Sequence, residues 1–413
     1  MKIALISEVF SKRMGYLGNI LPKYLARQGA EVHLITLDLP PYHHLKDFHT
    51  TYSGFAEHGE LVPGAIEPYQ GFTLHVLPHR KTFGYMRMVG LCDKLSTLRP
   101  DIVQATTAIG WNALNSALYQ PLGSYKLFTG CHMASSVFSL ARKESSWWDP
   151  ERIQCLVMRS LPGRLVSLFT EKCYAATEDC GLIASRFFGV QAQKVEVMYL
   201  GVDTEYFSPV KTDADLKERI QLRQQLGFTD DEIVCIYTGK FTSDKKGHLL
   251  ADAVVELRSK GLPYRALFIG QGPEGRELAK YSGVSVIGFM PFTELGPYYR
   301  AADIGVWPGN ESTSMLDAAA CGIPIVISDE VFYRAPVDGN GRVFCRDSCA
   351  SLVEVLFELR NRETRMELGN AGASRMAREF SWESIAKRRL RDYEMALAGK
   401  GPLRNTATYR EKI

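Results

Sequence analysis

Lys240 and Lys246 flank a short polar loop, GKFTSDKKG, after the apolar run EIVCIYT, which reads as a buried strand. Two cations around a loop at a strand's carboxyl end suit a diphosphate. Gly239 lets the backbone of that loop come close to a ligand, because it carries no Cβ. A second stretch, ESTSMLDAAACGIP, follows the apolar run IGVW and precedes IVIS. Ser312, Thr313 and Ser314 are N-cap residue types, and the run from Met315 predicts a helix that Gly322 and Pro324 stop. Backbone N–H groups and the positive end of the helix dipole there would attract a phosphate. Glu311 and Asp317 would oppose a bare phosphate but can accept hydrogen bonds from sugar hydroxyls beside one. The plainer alternative is a βαβ crossover with a capped helix and two solvated acids.

Further candidates lie at other turns. GQGPEG, with Gly270 and Gly272, fits G-x-G-x-x-G between a strand and a helix. That pattern allows a dinucleotide, with an acid about 20 residues on. Glu294 falls near that place but precedes a helix, so a tight βα turn is preferred. The VIGFM turn contributes Gly288, Phe289 and Met290. Gly15 and Gly18 sit in the first turn of the chain, where they could approach a phosphate or substrate or form a simple tight turn. His132 falls at the carboxyl end of the strand KLFTGC, either as a ligand-facing or as a structural histidine.

These residues need strand ends to hold them. KIALIS, EVHLITL, FTLHVLP, DIVQAT, KLFTGCHM and KVEVMYL alternate with helical patterns, and the alternation restarts at residue 232. That predicts an α/β protein of two doubly wound parallel-sheet domains, 1–205 and 206–380. Residues 38–70 read as an irregular insertion, 84–97 as a helix, 210–230 as a polar helical connector, and 399–413 as a disordered tail.

The chain has 413 residues, 46% of them hydrophobic, and a net charge of +3. Residues 1–205 carry 20 basic and 18 acidic groups and the remainder 29 and 28, so composition gives no support for nucleic-acid binding. Nine scattered cysteines suit a reduced, cytoplasmic chain rather than a disulfide framework. The start has the charge order opposite to a signal peptide, and no stretch approaches the ~20 apolar residues of a membrane span. Residues 134–170 mix basic and apolar positions, with Arg142, Lys143, Arg152, Arg159 and Arg164 able either to meet an anionic lipid surface from the cytoplasmic side or to form a solvated helix face.

Taken in order, PDIV at 100–103, GVDTEYFSP at 201–209, TGK with KKG, the GQGP turn, YYRAADIGVWP at 298–308, DAAACGIPIV at 317–326 and the closing FSW helix make a set. Through them nearly the whole chain resembles the retaining glycosyltransferases of family 4. The resemblance implies a GT-B architecture, two Rossmann-like domains facing across a cleft, with the helix at 381–398 packing back onto the first. It implies a nucleotide-diphospho-sugar as co-substrate, UDP- or GDP-linked, with no other cofactor and no metal. The acceptor would be a glycan, a lipid-linked molecule or a small molecule, in cell-surface polysaccharide or other glycan biosynthesis. It places His132 near the transferred sugar, Asp317 on the nucleotide ribose and Glu311 on the donor sugar, with Lys240 and Lys246 at the leaving diphosphate. The sequence departs from the family's Glu-x7-Glu spacing, because Glu311 lies only six residues before Asp317. Leu200 stands where the family usually has Asn. Asp213-Ala214-Asp215 lies in the connector and reads as surface rather than as a D-x-D metal motif. Other readings are a GT-B nucleotide-sugar epimerase, an NAD-binding oxidoreductase on GQGPEG, and a non-catalytic sugar-binding protein.

Overall fold

The computed structural model describes residues 1–400 except His44, Asp47, residues 53–60, Glu144, Ser145, Trp147 and residues 332, 333, 335 and 336. The expected disordered tail from Gly399 therefore lies, beyond residue 400, outside the described residues. Apolar runs of the first half form β1 (Lys2–Ser7), β2 (Glu31–Leu37), β3 (Ile66–Tyr69), β4 (Phe72–Leu77), β5 (His79–Thr82), β6 (Tyr85–Met88), β7 (Ile102–Ala105), β8 (Lys126–Cys131), β9 (Thr170–Ala175) and β10 (Val195–Val197). Eight of them join one sheet in the order β10-β9-β8-β7-β1-β2-β4-β3. All run parallel except β3, which lies antiparallel on the edge. Helices cover both faces, so the central strands are buried on two sides and read as unbroken apolar runs.

The second half repeats the plan with β11 (Ile233–Lys240), β12 (Tyr264–Gln271), β13 (Val284–Ile287), β14 (Ile304–Trp307), β15 (Ile325–Ser328) and β16 (Gly341–Phe344). These form an all-parallel sheet in the order β13-β12-β11-β14-β15-β16. A single hydrophobic cluster fills this domain, whereas the first divides its core among separate clusters on the two faces of its sheet.

The chain passes between the domains twice, and the two passes are tied together. Val202 N–H donates to the Phe380 carbonyl at 2.8 Å, and Trp382 N–H donates to the Val202 carbonyl at 3.1 Å. The helix Trp382–Leu397 then sets Trp382, Ile385, Ala386 and Tyr393 into the first domain's core. The polar segment expected to be helical over 210–230 holds one capped helix. Thr212 and Asp215 form a capping box that starts the helix Asp213–Gln225, so Asp215 is spent on Thr212 and Lys211 N–H groups. Arg219 and Arg223 on that helix clamp Asp303 at 2.9 and 3.1 Å, fastening it to the second domain.

Two expectations fail locally. Residues 84–97 are not one helix: β5 and β6 form a hairpin, and the helix begins at Leu91. Phe83 and Gly84 both have left-handed φ, 47° and 83°, the two-residue turn that suits a hairpin's twist. The irregular insertion contains β3, whose Pro68 is tolerated because the strand lies on an edge.

Candidate functional site

A cleft of about 660 Å³ opens between the carboxyl ends of the two sheets. The ends of β1, β7 and β8 line it from one side with Ser7, Thr106, Thr107 and His132. The ends of β11 and β12 face them with Gly239, Lys240, Gly270 and Gln271. Glu311, Ser312, Thr313, Ser314 and Asp317 close the second domain's side, and Phe289 and Met290 add an apolar patch. Gly15 and Gly18 also line the cleft. A Cβ on Gly15 would lie 2.8 Å from the Phe292 ring of the facing domain, so this turn works by close approach between domains.

The sequence expected Lys246 at a diphosphate; in the structure Lys245, and not Lys246, lines the cleft. Residues Ser243–Lys245 form a 3₁₀ turn, and Lys246 follows in the left-handed region at φ 52°. That reversal aims the Lys246 side chain away from the cleft, where Nζ pairs with Glu330 at 2.5 Å and Asp347 at 2.8 Å. Lys245 points inward, its Nζ bonded to Asn310 Oδ1 and, at 3.0 Å, to the Glu311 carbonyl. Asn310 in turn donates to Asp244 at 3.1 Å. The two loops interlock because Gly309 has no side chain: a Cβ there would lie 2.4 Å from the Asp244 carbonyl. Burial lowers the pKa of Lys245, against the opposing pull of Asp244 and Glu311, so an anion arriving beside it would strengthen its charge. The adjacent KK pair was the sequence signal; only the backbone turn decides between its members.

Lys240 reaches toward the first domain. Its Nζ bonds the Tyr52 hydroxyl and lies 4.2 Å from the Tyr52 ring centre and 5.1 Å from that of Tyr42. Gln271 Nε2 donates to the Thr50 carbonyl beside it at 2.8 Å. Tyr42 and Tyr52 come from the insertion after β2, where no sequence period marked them.

Thr313 caps the helix Ser314–Ala320 without a side-chain hydrogen bond to it. Ser314 Oγ instead bonds Ser312 Oγ at 2.6 Å and the Thr238 carbonyl at 3.2 Å, tying the turn to β11. Asp317 faces the cleft one turn in. Burial, then the nearby Asp203 carboxylate, raises its pKa well above the usual carboxylate range. Asp203, in the GVD segment, accepts from Lys23 Nζ at 2.9 Å and the Tyr24 hydroxyl at 2.7 Å. It lines the cleft although the sequence did not single it out.

His132 is exposed, but to the cleft rather than to bulk solvent. A Cβ on Gly130 would come within 3.2 Å of its Nε2 and 2.8 Å of the Thr106 carbonyl, so that glycine makes room for the ring at the sheet's end. Enclosure by protein, then the Arg389 guanidinium, pushes its pKa down to about 4. The imidazole is neutral at pH 7.

Besides Lys246, two sequence candidates lie outside the cleft lining. Gly288 only leads into Phe289. Gly272 is a packing position: a Cβ there would be 2.5 Å from the Phe241 carbonyl, and one on Gly270 would be 1.8 Å from the Gly239 carbonyl. The GQGPEG turn thus serves to pack the β11 and β12 loops together and opens only a four-residue helix, Gly275–Leu278. Glu294 sits in a 3₁₀ turn after β13 rather than at a strand end, unlike the ribose-binding acid of a dinucleotide site. Among the described residues no group of three or more His, Cys, Asp or Glu side chains could hold a metal ion.

Two parallel α/β domains with a cleft at their strand ends define the GT-B class of fold. Solved structures agree. Sucrose-phosphate synthase from Thermosynechococcus elongatus matches with a TM-score of 0.68 at 17% identity, over 96% of this chain and 99% of that one. Anabaena HepE in complex with UDP matches with a TM-score of 0.66 at 16% identity, over 95% and 100%. Residues 232–361 match the family described as glycosyl transferases group 1. D-inositol 3-phosphate glycosyltransferase from Rhodococcus erythropolis is 27% identical over 66% of this chain and 64% of its own length. Alpha-monoglucosyldiacylglycerol synthase from Acholeplasma laidlawii is 23% identical over 55% and 60%. The chain spans between 46% and 64% of the length of the inositol-phosphate enzymes it matches first. Residues 232–361 thus match the group 1 glycosyltransferases, and the two domains together have the GT-B fold.

Proposed function

We propose that this protein transfers a sugar from a nucleotide-diphospho-sugar, uridine- or guanosine-linked, to a hydroxyl acceptor, with retention at the anomeric carbon and no resident cofactor. The observation that carries the reading is the juxtaposition, in one cleft, of Lys240 and Lys245 with Glu311, Asp317 and, opposite them, His132. Breaking the bond between the sugar and the diphosphate leaves growing negative charge on the phosphate oxygens. Two preorganised lysines in a partly desolvated cleft offset it, the part that a divalent cation plays elsewhere. Glu311 would orient the donor sugar and Asp317 the ribose. A neutral His132 can donate or accept a hydrogen bond at the sugar without adding charge. In the retaining reaction, the leaving phosphate takes the acceptor's proton on the same face, so no side-chain base is assigned. The HepE complex with UDP and a starch synthase bound to ADP, both of this fold, support a nucleotide-linked donor.

Incubating the protein with uridine- and guanosine-diphospho-sugars, with and without EDTA, tests the reading by release of the nucleoside diphosphate. Release from one donor class, unchanged by EDTA, is expected. Abolition by EDTA with rescue by manganese or magnesium would overturn the role given to the lysines. Binding of nicotinamide dinucleotides in place of sugar nucleotides would favour an oxidoreductase.

A further inference from the structure

The segment between His132 and β9 carries its amphipathic pattern inside out. Helical turns run continuously from Pro150 to Phe169. The side turned to the protein is made of Cys155, Ser160, Gly163, Val166 and Ser167, mostly small or hydroxylic. Gly163 permits this, since a Cβ there would be 1.8 Å from the Phe188 carbonyl. The side turned outward carries Ile153, Leu156, Val157, Leu161, Leu165 and Leu168, all between 38% and 64% exposed. A helix that merely covers a core puts its large aliphatic residues the other way. Contiguous apolar exposure of this kind marks an interaction surface.

Two neighbours extend the face. The helix Trp111–Gly123 packs against Leu161–Phe169 and leaves Leu118 and Leu122 51% and 79% exposed. The β5–β6 hairpin is pinned to the segment by Arg159, whose Nε donates to the Tyr85 hydroxyl at 2.9 Å, and it raises Phe83 at its tip, 76% exposed. Charge on these three pieces is one-sided. Residues 79–90, 111–124 and 150–169 contain six basic side chains and one acidic, in a chain with 49 basic and 46 acidic residues. Arg80, Lys81, Arg87 and Arg164 are exposed among the apolar positions.

We propose that this face docks on an anionic lipid bilayer, with the aliphatic stripe entering the headgroup boundary and the basic residues meeting lipid phosphates. Apolar burial combined with positive charge at the rim is the chemistry of an interfacial helix. A second copy of the chain is a poorer occupant, because a symmetric contact would set like charges of both copies against each other. No helix among the described residues is long and apolar enough to cross a membrane. Docking deepens the proposed function and rests on it: the face belongs to the domain that carries His132, the side from which a lipid-linked acceptor would enter.

Flotation of the full chain with vesicles tests this. Phosphatidylcholine mixed with phosphatidylglycerol should bind the protein about tenfold or more tightly than phosphatidylcholine alone, and high salt should weaken the binding. Leu161→Glu with Leu165→Glu should lower binding about tenfold or more. Leu118→Ser with Leu122→Ser, at more exposed positions, should weaken it with less risk to the fold. Circular dichroism and nucleoside diphosphate binding should match wild type in both variants. Failure of the wild type to float with either vesicle, or unchanged flotation of both double variants, would overturn the proposal. So would a wild-type dimer that the Glu variant makes monomeric. Failure of the sugar-transfer reading would appear as loss of nucleotide binding, which flotation does not register.

Discussion

The two domains share an architecture and differ in how they end their strands. In the second, the functional turns are short and locked to each other. The β11 loop packs on the β12 loop through Gly270, and the β14 loop packs on the β11 loop through Gly309. In the first, long and irregular segments follow β1, β2 and β8, and they supply Arg13, Tyr42, Thr51 and His132 to the same cleft. Stiff turns suit a partner of fixed shape and charge, such as a diphosphate; variable segments on a rigid sheet suit one that differs between enzymes. The family match to residues 232–361 falls wholly within the stiff half.

The comparison breaks most readily at the lysines. Lys240→Ala and Lys245→Ala should each cut kcat by roughly 10²-fold or more with the fold intact, because each removes charge from the leaving diphosphate. Lys246→Ala should change kcat by no more than a few-fold, since its partners Glu330 and Asp347 lie outside the cleft. Steady-state kinetics on the three variants decide it; a large loss at Lys246 with none at Lys245 would reverse the assignment.

A smaller effect is expected from the facing domain. His132→Ala should lower kcat by roughly tenfold to a hundredfold while donor affinity changes little, because the histidine acts at the sugar and not on the nucleotide. Its ring should titrate near pH 4, well below the free value, by NMR. The folded-state pKa is depressed and the group is a base, so protonation favours the unfolded chain. Stability contributed by this site should be full above about pH 6.5 and fall as the pH drops toward 4. A ring titrating at 6.5 would show that the cleft does not enclose it.

The smallest effect should come from Asp317→Asn. Its carboxyl already tends toward the neutral form, so the amide should weaken nucleotide binding by only about threefold to tenfold. Calorimetry with the nucleoside diphosphate would measure it, and loss of all binding would mean that the charge of Asp317, not its hydrogen bonding, holds the ribose.

The alternation of apolar runs made both sheets legible, because parallel strands buried on two faces leave long hydrophobic stretches. The hairpin was read as a helix because YMRM carries no clear period and the left-handed Phe83 leaves no compositional mark. Lys240 ends β11 and His132 follows β8, so the sequence could place both at strand ends, and it could place Glu311 and Asp317 on the turn and helix after β14. The choice of Lys245 over Lys246 could not: it rests on a single left-handed residue, and φ is not written in residue type unless the residue is glycine. Tyr42 and Asp203 reach the cleft, and Tyr52 reaches Lys240, through tertiary contacts that no local pattern announces. Gly272 was legible as a turn glycine, but its role is packing.

Amide exchange on the full chain, with and without a saturating nucleoside diphosphate, tests most directly whether the two domains hold one ligand between them. The account predicts slowed exchange around Gly239–Lys245 and around 311–317, and also across the cleft around Gly15 and His132. Protection confined to the second domain, with the first unchanged at saturation, would contradict a transferase that completes its site from both halves.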